Sequence, residues 1–382
     1  MAIGFSRPVC LSWGERWKYV LALTGLVFVL SAACMPQAKA SDQFGVLNEA
    51  AITVKDPTHV RLISIARAGN RLVAVGEYGV IVYSDDNGSS WHQSSVPVSV
   101  TITCIAFANA QSGWAAGDYG VILHTTDGGQ SWQTQINGTQ VNQLMIAAAQ
   151  SFSSAHAGTP AADTAMRRAN IFLNSGPDKP FLTILATSPT SVAVFGAYRM
   201  AVATTDGGAH WQDISLNIGD KISHNIYGVA ASASDVYLAE ESGLVLHSSD
   251  GGNNFAPLTQ PVEATLFGVV LPGNKIIIVY GVAGSIYRSA DGGTTWSQVN
   301  LGTDANLTTA RSLQEGREII IGTQRGFIYM SSDGGVTFTK LPVNVGMELY
   351  DFEQAANGDI ICVGDTGIRV IDHLGQTLSS PN

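Results

Sequence analysis

The chain has 382 residues, 45% of them hydrophobic and only 13% charged, with a net charge of −10. That composition excludes a disordered chain, and the negative balance argues against nucleic acid and against electrostatic attachment to anionic lipid. The 41 glycines follow no collagen period and point to many tight turns.

The N-terminus reads as a targeting segment. Arg16 and Lys18 precede an apolar run, Tyr19–Leu30, and Ala38-Lys39-Ala40 fits a small-x-small cleavage site. The run is too short to span a bilayer, which takes about 20 residues. Residues 1–40 are therefore expected to be a signal peptide, and 41–382 an exported protein, periplasmic or lumenal. A second reading uses Cys34. Leu30–Cys34 (LSAAC) loosely resembles a lipoprotein box, although Ser31 stands where a larger apolar residue is preferred. On that reading a lipid at Cys34 is the sole membrane attachment. Removing residues 1–40 lowers the basic count from 20 to 16 and the acidic count from 30 to 29, so the exported part is more acidic still. Cys104 and Cys362 fall in different repeats; isolated core thiols are expected, in a compartment that also permits a disulfide.

Ala51–Val54 (AITV) reads as a short strand, and a repeat begins after it. The first copy is VAVGEYGVIVY at Val73–Tyr83 followed by SDDNGSSW at Ser84–Trp91. The second is AAGDYGVILH at Ala115–His124 followed by TTDGGQSW at Thr125–Trp132. Later copies end in TTDGGAHW at Thr204–Trp211, SSDGGNNF at Ser248–Phe255, SADGGTTW at Ser289–Trp296 and SSDGGVTF at Ser331–Phe338. The closing aromatics are spaced by 41, 79, 44, 41 and 42 residues. A period near 42 is that of a four-stranded propeller blade. Two apolar runs around a glycine-containing turn read as a hairpin, and an earlier run such as Thr103–Phe107 supplies an inner strand. Each repeat is thus strands A, B, C and D, with the [S/T]-x-D-x-G-x-x-[W/F] box in the C–D turn.

The long step holds an insertion, residues 138–180, between blades 2 and 3. Val141–Phe152 and Ala161–Phe172 have apolar residues at helical spacing, broken by Ser153–Pro160. A helical hairpin is expected there, as a lid over the channel, a docking arm or a tolerated surface insertion. A seventh copy, Ile360–Ile371 (IICVGDTGIRVI), has strands B and C and no box. Ala51–Val54 is its expected D strand, so that an N-terminal strand closes the last blade and leaves no free edge. The fold class is all-β: a seven-bladed β-propeller with one helical insertion, expected to act as a monomer.

The boxes read as structural. Asp86, Asp127, Asp206, Asp250, Asp291 and Asp333 are placed to accept backbone N–H groups across their turns, and the aromatic packs between neighbouring sheets. Six even copies fit stability, whereas an active site needs one constellation.

The box matches the bacterial neuraminidase repeat, and the fuller pattern G-[ED]-Y-G-V-I-x-x-[ST]-x-D-x-G-x-x-W resembles the photosystem II stability/assembly factor family over about residues 45–372. Asp178–Leu182 with FGAYRMAVATTDGGAHW is similar to that family's non-photosynthetic bacterial branch. The resemblance implies an exported seven-bladed propeller that binds protein, a membrane complex or its subunits, during assembly or stabilisation. The alternative is a glycan-binding or sialidase-like propeller. A sialidase needs an arginine cluster, usually opened by an early Arg-Ile-Pro; here Arg61-Leu62-Ile63 has no proline, and the other arginines are scattered. No catalytic residue, cofactor or metal site is assigned: the histidines lack metal spacing, and no P-loop, G-x-S-x-G elbow or zinc cysteine pair occurs.

In a propeller the A–B and C–D turns share one face, and the B–C turns share the other with the D–A connections. The second face carries Glu77, Tyr78, Asp118, Tyr119, Tyr198, Arg199, Glu240, Arg325 and Asp365, and is the candidate partner-binding rim, since Tyr and Arg anchor interfaces.

Overall fold

The computed structural model describes residues 44–372 apart from 220–223, 274 and 314–317. Their strands form seven antiparallel sheets, six of four strands and one of three, each in sequence order except for direction. Blade 1 comprises Leu62–Ala68, Arg71–Gly76, Ile81–Ser84 and His92–Gln93. The starts of all seven A strands line one central cavity of about 560 Å³, which closes the blades into a ring. The B strands read as continuous apolar runs because both faces of a blade are covered by neighbours: Gly113–Gly117 is buried throughout.

The six boxes are near copies. In blade 1, Ser84 Oγ donates to Asp86 Oδ1 (2.8 Å) and accepts from Gly88 N (2.8 Å). Asp86 also accepts from Ser90 N (2.8 Å) and Ser90 Oγ (2.6 Å). Trp91 Nε1 donates to Gly88 O at 3.1 Å, and the indole is buried among Leu72, Ile361 and Val370 at the seam with blade 7. The hydrogen bonds donated to Asp206, Asp250, Asp291 and Asp333 hold each carboxyl down at about 2. At Asp86 and Asp127 partial burial opposes that effect, yet the pKa is still lowered. Each box carboxylate is thus occupied by donors of its own turn.

Ring closure differs from the expectation. Blade 7 has three strands, Leu349–Gln354, Ile360–Gly364 and Gly367–Ile371, and Ala51–Val54 is not its fourth. That segment lies on blade 1: Ala51 N donates to Val96 O (3.0 Å) and Ile52 N to Tyr78 O (3.3 Å). Val54 N donates to Gln93 Oε1 at 3.0 Å. One later residue reaches the outer strand of blade 7, where Ile368 N donates to Thr58 O at 3.0 Å. The lock itself is at the channel wall. Asp351 of blade 7 accepts Ser64 Oγ (2.9 Å) and Ile65 N (3.2 Å) of blade 1, and Thr309 Oγ1 (2.7 Å) and Arg311 Nη2 (2.9 Å) of blade 6. One carboxylate thereby ties three blades. The segment at Ala51–Val54 is held on blade 1 by its hydrogen bonds, with Ala51 and Val54 half-buried and Ile52 exposed.

The insertion is helical as its spacing implied. Helix α1 (Gly138–Ala155) starts with a capping box of Asn137 and Gln140; helix α2 (Pro160–Ser175) starts with Thr159 at the N-cap and Pro160 in the first turn. Val141, Met145 and Ala149 of α1 and Ala165, Ala169 and Phe172 of α2 are buried with Trp114, Ile136, Phe181, Met200 and Trp211, at the seam of blades 2 and 3. Neither helix contributes a residue to the lining of the central cavity. The hairpin is a wedge in the seam, not a lid on the channel. Cys104 and Cys362 are free and buried, and burial pushes the Cys104 thiol up to about 12.

Candidate partner-binding face

Every B–C turn is anchored alike. The N–H of its first residue donates to the carbonyl just ahead of its own A strand: Glu77 to Arg61, Asp118 to Thr101, Ala197 to Pro180, Glu241 to Asn225, Val282 to Thr265, Gln324 to Asn306 and Asp365 to Glu348, at 2.8–3.4 Å. The B–C turns and D–A connections therefore share a face. In blades 1 to 5 both central residues of the turn have positive φ, the type I′ pattern. The first of them is Tyr78 (φ 55), Tyr119 (φ 56), Tyr198 (φ 54), Ser242 (φ 58) and Ala283 (φ 52). A side chain in that region costs about 1–2 kcal/mol, and glycine or asparagine is the usual occupant.

Three adjacent blades thus hold tyrosines in a disfavoured conformation. Tyr78 is 59% exposed and Tyr198 45%. Tyr119 is half-buried, its ring edge-on to Phe44 at 6.1 Å. Exposed Ile52 adjoins Tyr78, and Ile171 and Leu173 of α2 are exposed as well. The corresponding positions of blades 4 to 7 carry Ser242, Ala283, Arg325 and Thr366. The face is an aromatic arc on one side and a polar arc on the other.

The charged rim residues fare differently from one another. Glu77 pairs with Arg61 at 3.2 Å, and that guanidinium lies 5.9 Å from the Tyr350 ring at the channel mouth. Asp118 is half-buried, and burial raises its carboxyl pKa. Arg325 is exposed and pairs with Asp304 at 2.7 Å. Asp365 accepts Glu348 N at 3.0 Å. Arg199 and Glu240, expected on the rim, are not there. They are 3% and 0% exposed and form a buried pair between blades 3 and 4, with Nη2–Oε2 at 2.6 Å and Nε–Oε1 at 2.9 Å. The sequence held a signal for this. Arg199 (φ 56) stands where other turns have a left-handed glycine such as Gly79, and Glu240 stands where Gly76 and Gly117 begin their turns. Opposite charges at two broken glycine positions in adjacent blades mark a pair.

Arg168 of α2 carried no signal of its own. It is 97% buried by its 3% exposure, and its Nη2 donates to Tyr198 O (3.0 Å) and Arg199 O (2.6 Å). Burial lowers its pKa to about 10, against a nearby Asp213 that raises it. The Phe172 ring meets Tyr198 edge-on at 6.4 Å, and Lys179 Nζ lies 5.8 Å from the same ring. The insertion braces the blade 3 turn from behind. Elsewhere His124 stacks on Trp114 at 4.4 Å and His247 on Tyr237 at 4.5 Å, as strand C packing residues.

The family model for the photosynthesis system II assembly factor YCF48 matches residues 89–155 and 176–340, well over half of the chain. The chain belongs to this family. The unmatched stretch between the two parts holds α2. The photosystem II assembly lipoprotein Ycf48 of Synechococcus sp. (strain CC9902) is 30% identical over 124 residues, which are 30% of this chain and 35% of that protein. The chain thus spans about a third of the length of the curated relative it matches. The solved structure of YCF48 bound to D1 peptide superposes with a TM-score of 0.60 at 17% identity, over 84% of this chain and 95% of that one. A GH74 xyloglucanase from Xanthomonas campestris reaches 0.59 at 12% identity, over 85% of this chain and 53% of that one. These structural likenesses show the propeller fold alone, which the YCF48 family shares with hydrolases.

Proposed function

We propose that this chain is a non-enzymatic, exported scaffold that binds protein during the assembly or stabilisation of a membrane complex. Its grip is the B–C face of blades 1 to 3. The observation that carries this reading is the run of Tyr78, Tyr119 and Tyr198 in left-handed backbone on three adjacent blades. Tyr78 and Tyr198 stay largely exposed despite that backbone cost, as residues of recognition surfaces do. Family membership supports the assembly role, and the family structure that carries a D1 peptide supports a protein partner, a photosystem subunit or its counterpart in a non-photosynthetic host. The charged turn residues Glu77, Asp118, Arg325 and Asp365 complete the rim.

The lipoprotein named above supports a lipid at Cys34 over cleavage after Ala40. Cys34 and the whole of residues 1–40 lie outside the described residues, and no helix among the described residues is long and apolar enough to cross a membrane. Mass spectrometry of the mature N-terminus decides: a start at Ser41 removes the anchor.

Crosslinking and pull-down from native membranes test the function. Wild-type protein is expected to enrich subunits of one membrane complex, and the triple variant Tyr78→Ala/Tyr119→Ala/Tyr198→Ala to lose them. Equal recovery by the variant rejects the face; no enriched membrane subunit with wild-type protein rejects the function.

A further inference from the structure

The seams between blades are packed by a recurring set of side chains. In each blade a residue near the start of strand B pairs across to one near the end of strand C. These pairs are Val73–Tyr83, Trp114–His124, Tyr237–His247, Ile278–Arg288, Ile320–Met330 and Ile361–Val370. They face the next blade's box: Val73 lies against Gly129, Ile278 against Gly335, and Ile361 with Val370 against Gly88. In blade 3 the pair is Ala193–Ala203. The box it faces, in blade 4, ends in Phe255 where the boxes of blades 1, 2, 3 and 5 end in tryptophan. Three positions are small in one seam. The effect is local: a Cβ placed on any other box glycine meets a side chain of the preceding blade within 2.0–3.1 Å, whereas on Gly252 it meets only Phe255 of the same box.

What remains is a pocket of about 210 Å³, with Ala193, Phe195, Ala203 and Phe255 on its apolar side and Thr204 and Gln212 on its polar side. Packed interiors hold few voids larger than a water, and an apolar cavity of about 150 Å³ is enough for benzene. The pocket therefore has the size of one ring system. Its edge is polar and also departs from the repeat. Where other boxes use Ser, Asn or Thr to donate to the box aspartate, blade 3 has His210, whose Nδ1 lies 2.7 Å from Asp206 Oδ2. His210 lines the same pocket and is largely exposed. A carboxylate at Nδ1 selects the tautomer with the proton there, which leaves Nε2 as an acceptor.

We propose that the seam of blades 3 and 4 binds a small aromatic molecule with a hydrogen-bond donor on its ring, a phenol or an indole, whose ring fills the space between Ala203 and Phe255 and whose donor faces His210. This site is separate from the B–C face and does not depend on it.

Saturation-transfer NMR and calorimetry on the full chain, with phenol, indole and benzene as probes, test it. Saturable binding with a Kd of about 1 mM or below is expected, with phenol tighter than benzene. Ala203→Tyr, which restores the residue of blade 1, and Phe255→Trp, which restores that of four other boxes, should each weaken phenol at least about tenfold while the circular dichroism spectrum is kept. His210→Ala should bring phenol down to benzene. Absence of saturable binding to the wild type, or unchanged binding in both filled variants, overturns the site. An unchanged phenol preference in His210→Ala overturns the donor requirement, and tighter binding of the tripeptide Gly-Tyr-Gly than of phenol overturns a free small molecule as the occupant.

Discussion

The two faces of the ring are made from the same repeat and differ in what the repeat is allowed to vary. On the box face six aspartates keep one hydrogen-bond set, and each box aromatic enters a seam. On the B–C face the backbone anchor is kept in all seven blades, while the side chains it presents change from tyrosine to serine, alanine and arginine. Uniformity marks what holds the ring together. Departure from uniformity, at Tyr78, Tyr119 and Tyr198 or at Arg199 and Glu240, marks what one blade does and another does not.

Substitutions at the seams should have the largest effects. Asp351→Ala removes the buried carboxylate that accepts from blades 1 and 6, leaves the partly exposed Arg311 without it and opens the lock between blades 6, 7 and 1, so urea unfolding should show a loss of about 3 kcal/mol. A smaller loss would shift ring closure to the apolar contacts around Leu62 and Ile368. Glu240→Ala, which leaves Arg199 buried without its carboxylate, should cost about 3 kcal/mol. The double change Arg199→Gly/Glu240→Gly restores the repeat and should recover most of that. If the double variant is no better than the single, the pair is not a matched departure from the glycine rule.

Acid comes next. The box carboxyls have folded-state pKa values below their unfolded ones, so the unfolded chain binds more protons in that range. Their stabilising effect is complete above the unfolded pKa, about 4, and is lost as pH falls toward the folded value of about 2. The melting temperature should drop over that window, and less steeply in Asp291→Asn. A flat profile from pH 4 to 2 would break the assignment of the boxes to stability. The smallest effect on folding is expected on the B–C face. Tyr78→Gly should change stability by less than about 1 kcal/mol, since relief of the left-handed strain offsets the added freedom of the unfolded chain, while it weakens partner recovery.

Much of this architecture was legible in the residues because it is local. A 42-residue period, a turn that needs glycine, and caps such as Asn137 and Thr159 depend on neighbours a few positions away. Blade count, box geometry and the two helices follow from those alone, and so does the placement of Glu77, Tyr78, Asp118 and Tyr119 on one face.

The tertiary structure decided the rest, because it depends on which repeats meet. Ala51–Val54 has a strand's composition, yet its backbone bonds to blade 1 and not to blade 7. Arg199 and Glu240 read as rim charges until blades 3 and 4 bury them against each other. Arg168 becomes a brace only where α2 reaches the Tyr198 turn, and Ala193, Ala203 and Phe255 become a pocket only when strands about 50 residues apart face across one seam. A repeat sequence states what every blade has in common; the contacts between blades determine where one blade can differ without breaking the ring.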